Sequence, residues 1–288
     1  MSKKVSQMVD TGGEIYASFG LKSAVGKSTL IKCAADLMDV TGQSWSGVSV
    51  DRSERLPDRY PEKFVRVNLP TDLEGRLDPY ARTRAFAPLD EEVERLAKAG
   101  GVALFDIGSG EYPGAVLEHA SRSRLNSLLK RSAISFTAFV VATNDAVMMA
   151  DLPRLAGAVL QVLPDARVVI VLNQKTGVFQ FSSTSAAQKV WLRDVEPLLA
   201  KFPSITIPAM PPGTWDPYED RGLRFSEVAL LEPEKNVADE KKLIAWTREP
   251  RGLAVVRQGD VAEWLHGAWQ ELSKVMHRHA IDGGGHAA

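Results

Sequence analysis

Short apolar segments alternate with segments of helical periodicity along most of the chain. The apolar segments, each predicted to be a strand, are residues 15–19, 45–50, 64–69, 101–105, 134–142, 167–172 and 205–208. Helical spacing of apolar residues marks residues 30–38, 89–99, 147–163 and 186–202. Strands that are apolar throughout and separated by helices predict an α/β fold, a mostly parallel, doubly wound sheet with helices on both faces.

The residues that follow the predicted strands are the first candidates for a ligand site. Open parallel sheets bind their ligands at the carboxyl ends of the strands. The strand-end residues of this chain are Gly20, Asp51, Asp106, Asn144, Asn173 and Pro208. Carboxylates and carboxamides predominate among them, and these side chains bind cations or exchange hydrogen bonds with a ligand.

Residues 20–29 form a candidate phosphate-binding loop between the first strand and the first helix. Such a loop aims backbone N–H groups and a helix N-terminus at one point, which favours an anion. Lys27 is predicted to reach the β- and γ-phosphates of a nucleotide, and Ser28 to ligate Mg²⁺. The residues predicted to surround the phosphates are Ser23, Ala24, Val25, Gly26, Lys27, Ser28 and Thr29. Leu21 stands where the usual motif has its first glycine, so a chance G-K-S in a turn is the alternative.

A second candidate feature is the sequence D-I-G-S-G at residues 106–110, directly after an apolar strand. Asp106 is predicted to hold Mg²⁺ directly or through water, as a Walker B carboxylate does. Gly108 would let the backbone approach a γ-phosphate and rearrange after hydrolysis. The alternative is an aspartate at a strand-to-loop corner with glycines that serve the turn.

Residues 22–28, K-S-A-V-G-K-S, resemble the deviant Walker A motif of the ParA/MinD family, usually K-G-G-x-G-K-[ST]. The D-I-G-S-G sequence is similar to the D-x-P/G-x-G motif of the same family. Ser23 and Ala24 replace the paired glycines. The resemblance covers residues 15–212 and implies a P-loop NTPase of the SIMIBI type, here with extra helices at the C-terminal end.

The resemblance also implies cofactors and a partner. The expected ligands are ATP or ADP with Mg²⁺, and the expected assembly is a nucleotide-dependent homodimer. In that family the first lysine, here Lys22, crosses the dimer interface to contact nucleotide bound by the other subunit. Lys22 and Lys27 are therefore both expected to act in catalysis.

Asp51 matches the first carboxylate of the family's D-x-D switch and is expected to act in catalysis and to bind the metal. Ser53 occupies the place of the second carboxylate, and a hydroxyl cannot act as a carboxylate base. Glu54 is a possible substitute. Three readings stay open: a weak, slow ATPase, a nucleotide-binding adaptor with little or no hydrolysis, and a small-molecule kinase or ligase on the same fold.

Asn173 and Pro208 lie where the family contacts the nucleotide base. A carboxamide both donates and accepts hydrogen bonds, which suits adenine, and the guanine-specific N-K-x-D pattern is absent after Asn173. The alternative for Asn173 is the start of a turn after a strand. Pro208 is predicted to pack against the base.

The long segment after Asp51 and the D-I-G-S-G loop look most like the accessory ATPases of plasmid maintenance and conjugation, the StbB/TraL-like members. This resemblance implies a role in plasmid partition or conjugative transfer. DNA or a DNA-bound adaptor protein is then a candidate partner. A modest basic cluster on the helix after Asp106 could contact phosphates, although a solvated helix face is the default. Its members are Arg122, Arg124, Lys130 and Arg131.

Composition adds few constraints to this picture. The 288 residues are 44% hydrophobic and 25% charged, and the formal net charge is −1, so no general attraction to nucleic acid or anionic membrane follows. The single cysteine, Cys33, is predicted to be a core residue in a reducing compartment. No apolar stretch approaches the roughly 20 residues of a membrane span, and the N-terminus lacks a signal-peptide pattern, so a cytoplasmic location is expected.

Residues 1–280 are predicted to form one nucleotide-binding domain with a helical extension from about 217, and residues 281–288 a flexible tail. The last helix is predicted to be capped by Asp260. Its apolar stripe, between residues 261 and 276, favours packing on the sheet or a partner over membrane contact.

Overall fold

The computed structural model describes residues 12–51, 55–78 and 80–276. Within them the strands are β1 Gly13–Phe19, β2 Trp45–Val50, β3 Phe64–Arg66, β4 Gly101–Ile107, β5 Ser135–Ala142, β6 Arg167–Asn173 and β7 Ser204–Ile207. The helices are α1 Lys27–Val40, α2 Arg55–Arg59, α3 Asp72–Leu77, α4 Ala81–Ala85, α5 Ala87–Ala99, α6 Tyr112–Arg122, α7 Leu125–Arg131, α8 Ala146–Val162, α9 Ala186–Val190, α10 Glu196–Lys201, α11 Asp216–Glu219, α12 Phe225–Ala229, α13 Val237–Thr247 and α14 Arg251–Leu272.

The strands form one seven-stranded sheet in the order β3-β2-β4-β1-β5-β6-β7. Every neighbouring pair is parallel. The carboxyl ends of the strands therefore lie along the same edge, which brings the strand-end residues together. The α/β class and the parallel sheet that the sequence predicts are confirmed.

Side chains alternate between two apolar cores, one on each face of the sheet. Along β1, Ile15, Ala17 and Phe19 enter the core shared with α5, α6 and α8. Tyr16 enters the opposite core, which α1, α12 and α14 cover. Cys33 of α1 is fully buried in this second core, as predicted. Burial on both faces explains why the strands are apolar throughout.

The predicted helix over residues 186–202 is interrupted. A π-helical turn, Trp191–Val195, separates α9 from α10, and the Glu196 amide donates to the carbonyl of Trp191, five residues back. Pro197 follows at once, and a proline has no N–H and collides with the carbonyl four residues before it in a regular helix. The wider turn lets the chain continue helically through this point.

The prediction that Asp260 caps the last helix is wrong. Helix α14 begins at Arg251 after Pro250, and Asp260 lies well inside it. Most residues on its predicted stripe are buried on the sheet side, among them Leu265, Ala268 and Leu272, whereas Val261 packs in a separate cluster with Tyr218 and Leu243. Glu271 accepts the amide of Thr206 at 3.0 Å, so α14 also satisfies part of the exposed edge of β7. Within the described part of the chain, no helix combines the length and apolarity that crossing a bilayer requires.

Candidate functional site

The loop between β1 and α1 has the backbone shape of an anion cradle. Ala24 and Gly26 adopt left-handed conformations, with φ of 61° and 95°. A Cβ at position 26 would lie 1.9 Å from Nδ2 of Asn173, so glycine is required there. Gly26 precedes α1 and has no side chain to cap it, so the first N–H groups of the helix can turn toward a ligand.

Lys27 places a buried ammonium group inside this loop. Only 6% of the residue is exposed, and Nζ donates to the carbonyl oxygen of Lys22 at 3.1 Å. Burial lowers the pKa of Lys27, and the charges of Asp106 and Asp51 partly counteract that effect. A buried cation held by one carbonyl and two nearby carboxylates can accept a further anion.

Asp106, at the end of β4, forms a polar pair with the helix that follows the loop. Ser28 Oγ donates to its Oδ2 at 2.8 Å, and Ser18 Oγ to its Oδ1 at 3.2 Å. Burial raises the pKa of Asp106, whereas the Ser28 hydrogen bond and Lys27 act in the opposite direction. The structure thus joins the two predicted motifs at one point.

The loop after β4 is tied to both neighbouring loops. The Gly108 amide donates to Val50 O and the Gly110 amide to Leu21 O, each at 2.9 Å. A Cβ on Gly108 would lie 3.1 Å from Cγ of Asp51 and 2.7 Å from the Tyr112 ring. Gly108 therefore lets the loop approach Asp51, and its predicted approach to a γ-phosphate stays a prediction.

Asn173 lies under the loop. Its Nδ2 donates to Val25 O at 2.9 Å, and its Oδ1 accepts the amide of Lys175 at 3.0 Å. With 4% of the residue exposed, both ends of its carboxamide contact protein. In this geometry Asn173 holds the loop, and its predicted contact with adenine stays a prediction.

A cavity of about 420 Å³ opens beside the start of α1. Its walls come from α1, the end of β6, the segment after β7 and the C-terminal helices. The lining residues are Thr29, Lys32, Asn173, Lys175, Pro208, Met210, Pro211, Pro212, Gly213, Trp215, Asp216, Glu219, Phe225 and Trp264. The volume and the mixture of apolar and charged walls suit a nucleoside.

An aromatic wall, Trp215, Phe225 and Trp264, closes the far side of this cavity. The Trp215 and Phe225 ring centroids are 4.4 Å apart, and those of Phe225 and Trp264 are 4.9 Å apart. Trp264 Nε1 donates to Pro208 O at 2.8 Å and so holds the predicted base-contacting segment. Sequence reasoning missed these three residues because no local motif connects them with the loop.

Charged and polar contacts join this wall to α1. Glu219 accepts from Arg59 Nη2 at 3.0 Å and lies 3.9 Å from Lys32 Nζ. Asp36 of α1 accepts the Ser226 amide at 2.9 Å and the Tyr60 hydroxyl at 3.0 Å. The segment after Asp51, helix α1 and the C-terminal helices are thereby connected around the cavity.

The other predicted residues divide into three groups. Lys22, Ser23 and Ala24 are exposed at the rim of the loop. Asn144 bonds to Thr176 Oγ1 and Val178 O, which fixes the turn after β6. Ser53 and Glu54, on which the question of hydrolysis depends, lie outside the described residues.

The donor set fits Mg²⁺ bound together with phosphate. The Ser28 hydroxyl and the Asp106 carboxylate are adjacent, and Asp51 approaches the same point. Among the described residues no group of three His, Cys, Asp or Glu side chains could hold a metal by itself. Mg²⁺ in nucleotide sites needs only one or two carboxylates, because phosphate oxygens and water complete the octahedron.

Comparisons with known proteins give a limited result. No protein-family model matches the chain, and no curated protein matches it either. Among solved structures, the MinD cell division protein of Aquifex aeolicus aligns with a TM-score of 0.44 at 17% identity, covering 88% of this chain and 97% of that chain. The MinC:MinD cell division protein complex of the same organism aligns equally, with 96% of that chain covered. The function proposed below therefore depends on the geometry of the loop, the buried charges and the cavity.

Proposed function

We propose that this protein binds a nucleoside triphosphate with Mg²⁺ at the loop of residues 20–28. The observation that carries the proposal is the buried Lys27 ammonium, held inside a left-handed loop and next to the Ser28–Asp106 pair. Asp106 and Asp51 compensate this ammonium in part. If Mg²⁺ binds those carboxylates, the buried lysine needs a further anion. A polyphosphate brings that charge, and the helix N-terminus favours it further.

Each residue of the cradle then has a separate role. Lys27 binds the β- and γ-phosphates, and the N–H groups of residues 23–29 surround them. Ser28, Asp106 and Asp51 hold Mg²⁺, which neutralises phosphate charge when it is bound. Asn173 keeps the loop in shape through Val25 O.

The base and ribose would occupy the 420 Å³ cavity, between Pro208 and the aromatic wall. We propose adenine, since the N-K-x-D pattern that selects guanine is absent after Asn173. Aromatic rings that can stack on a base supply affinity, and the hydrogen-bonding groups around the rim supply selection.

We further propose that the protein is a ParA/MinD-type switch. Lys22 is exposed at the rim, where a second subunit could receive it, which supports an ATP-dependent homodimer. Slow hydrolysis would reset the monomer. We propose a cytoplasmic role in plasmid partition or conjugative transfer, with DNA or a DNA-bound adaptor as partner. The alternative, a binding adaptor without hydrolysis, is favoured by Ser53 in place of a carboxylate.

Nucleotide binding is tested by titrating a fluorescent ATP analogue with Mg²⁺ into wild type and Lys27→Ala. Loss of a charge-assisted contact worth about 1.5–3 kcal/mol predicts binding weaker by roughly 10- to 100-fold. Lys98→Ala is the control, since Lys98 is exposed on α5. Equal binding by all three proteins would refute the site.

Hydrolysis and dimerisation need separate measurements. Phosphate release is compared with and without DNA for wild type and Lys27→Ala, and no release under any condition leaves the adaptor function. The molecular mass is measured with a non-hydrolysable ATP analogue. Dimerisation that Lys22→Ala abolishes supports the role of that lysine in trans, whereas a mass that nucleotide does not change contradicts it.

A further inference from the structure

A row of polar side chains crosses the sheet beneath the start of α1. Ser18, Asp106 and Ser49 are register partners on the parallel strands β1, β4 and β2. Val48 and Val50 enter the core on the opposite face, so Ser49 points to the face that α1 covers. The two serines thus flank the Asp106 carboxylate, one on each side.

The two serines differ in their hydrogen bonds. Ser18 Oγ donates to Asp106 Oδ1 at 3.2 Å. Ser49 is 1% exposed, and its Oγ has no hydrogen-bond partner among the residues that the structure describes. Buried hydroxyls are nearly always satisfied, and an unsatisfied one in a native fold often marks a place for a bound water or ion.

The local sequence does not require a hydroxyl at this position. Val48 and Val50 on the same strand are apolar and β-branched, so the strand itself does not require a hydroxyl, and valine matches the shape of threonine without a polar atom at position 49. Asp106 is a buried carboxylate that already accepts hydrogen bonds from two hydroxyls. The Ser49 hydroxyl beside it therefore points to a bound ligand shell on that side.

We propose that Ser49 is a positioning residue of the Mg²⁺–phosphate site, which rests on the nucleotide binding proposed above. Its hydroxyl hydrogen-bonds a water molecule of the Mg²⁺ shell that also contacts Asp106. Mg²⁺ keeps several waters in nucleotide sites, and each such water needs polar protein partners. Ser28 and Asp106 would contact this shell from α1 and β4, and Ser49 would contact it from β2.

The experiment uses an isosteric pair, Ser49→Thr and Ser49→Val, in the full chain. ADP affinity is measured by calorimetry with saturating Mg²⁺ and with EDTA, and the ratio of the two affinities reports the contribution of the metal. Ser49→Thr keeps the wild-type ratio. Ser49→Val lowers it by about three- to tenfold, the value of one hydrogen bond, and leaves the affinity in EDTA unchanged.

Thermal unfolding without ligand gives a second readout. Removing the hydroxyl should lower the Mg²⁺-dependent affinity but should not lower the stability of the free protein. Threonine and valine have the same shape, so removing an unsatisfied buried hydroxyl makes Ser49→Val at least as stable as Ser49→Thr, which a merely structural hydroxyl would not do. Ser46→Val on the same strand, where the side chain bonds to Glu92, is the control and keeps the wild-type ratio.

The outcomes separate this inference from the proposed function. If Ser49→Val keeps the full Mg²⁺ ratio, or loses affinity equally with and without Mg²⁺, the role of Ser49 is refuted while nucleotide binding stands. If wild type binds no nucleotide in either condition, the proposed function fails first.

Discussion

The two halves of the candidate pocket are built in different ways. The phosphate half consists of the loop of residues 20–28 with Asp106 and Asn173. Lys27, Asp106 and Asn173 are buried in it and tied by hydrogen bonds of 2.8–3.2 Å. The base half is an open cavity whose far wall is the aromatic trio Trp215, Phe225 and Trp264. The first half is made by strand ends, and the second by helices that come much later in the chain.

This difference suggests a division of labour. In the function proposed here, the backbone amides and the buried lysine would recognise phosphate, which every nucleotide carries, and a rigid loop suits that task. Aromatic and charged side chains on added helices recognise what distinguishes one nucleotide from another. We therefore expect substitutions in the phosphate half to weaken the binding of every polyphosphate. Substitutions in the base half should weaken only the binding of ligands that carry a nucleoside.

The largest effect is expected for Gly26→Ala. The new Cβ would lie 1.9 Å from Asn173 Nδ2 in a backbone with φ of 95°, so the loop must rearrange. Binding of both ATP and inorganic tripolyphosphate should fall by on the order of 100-fold, since several amide contacts are lost together. Calorimetric titration with each ligand measures this.

Gly42→Ala is the matched control for that variant. Gly42 also has a positive φ, 69°, but no atom lies within 4 Å of its virtual Cβ. It should cost about 1 kcal/mol of stability and leave binding intact. Equal binding by the two variants would mean that the loop does not hold phosphate.

The next effect is expected for Trp215→Leu. Stacking a base on an aromatic ring contributes about 1–3 kcal/mol, so ATP affinity should fall by roughly 5- to 100-fold. Tripolyphosphate should bind as it does to wild type, in a competition assay against a fluorescent nucleotide. Trp191→Leu, in the distant cluster with Phe179 and Phe181, is the control. An equal loss of affinity for ATP and for tripolyphosphate would contradict the distinction between the two halves.

Asn173→Ala tests a residue at the boundary of the halves. If its carboxamide holds the loop through Val25 O, ATP and tripolyphosphate should both weaken by about three- to tenfold, the value of one hydrogen bond. A loss confined to ATP would assign Asn173 to the base, as its place in the sequence suggested. Asn144→Ala, whose contacts lie in the next turn, should change neither affinity.

The smallest effect concerns Asp36, which joins α1 to α12 at the back of the cavity. Burial raises the pKa of its carboxyl group above the ordinary value of 3.8, so the folded chain binds this proton more tightly than the unfolded chain. The contribution of Asp36 to stability therefore becomes more favourable as pH falls from neutral through the raised pKa. It stops changing below the unfolded value.

Asp36→Asn removes that titration. The free energy of unfolding of wild type minus that of the variant should rise on acidification, by at most about 1.4 kcal/mol per pH unit. Denaturant unfolding at several pH values checks the sign. A constant difference would show that the Asp36 carboxyl group does not titrate in this range.

Much of the phosphate half could be predicted because its information is local. The strand that ends at Phe19, the small residues after it and G-K-S at residues 26–28 specify one turn of chain. The candidate site at the carboxyl end of β4 could also be predicted, because an apolar strand followed by Asp106 and glycines is a short local pattern. Its contact with Ser28 follows from β4 lying beside β1.

The interruption at Trp191–Val195 and the start of α14 were less predictable. Apolar periodicity runs through the first, and only the carbonyl clash of Pro197 decides how the helix continues. For the last helix, Asp260 looked like an N-cap because it directly precedes the apolar stripe that begins at Val261. Tertiary packing of the stripe kept one helix from Arg251 to Leu272.

By itself the sequence determined the parallel sheet, the loop and the carboxylates at the strand ends, because period, spacing and order are properties of neighbouring residues. Only the tertiary structure decided that Asn173 supports the loop, that Ser49 lies beside Asp106 without a partner, and that Trp215, Phe225 and Trp264 meet above α1. Those contacts join residues far apart in the chain, so strand order and helix packing, which no local pattern encodes, set them.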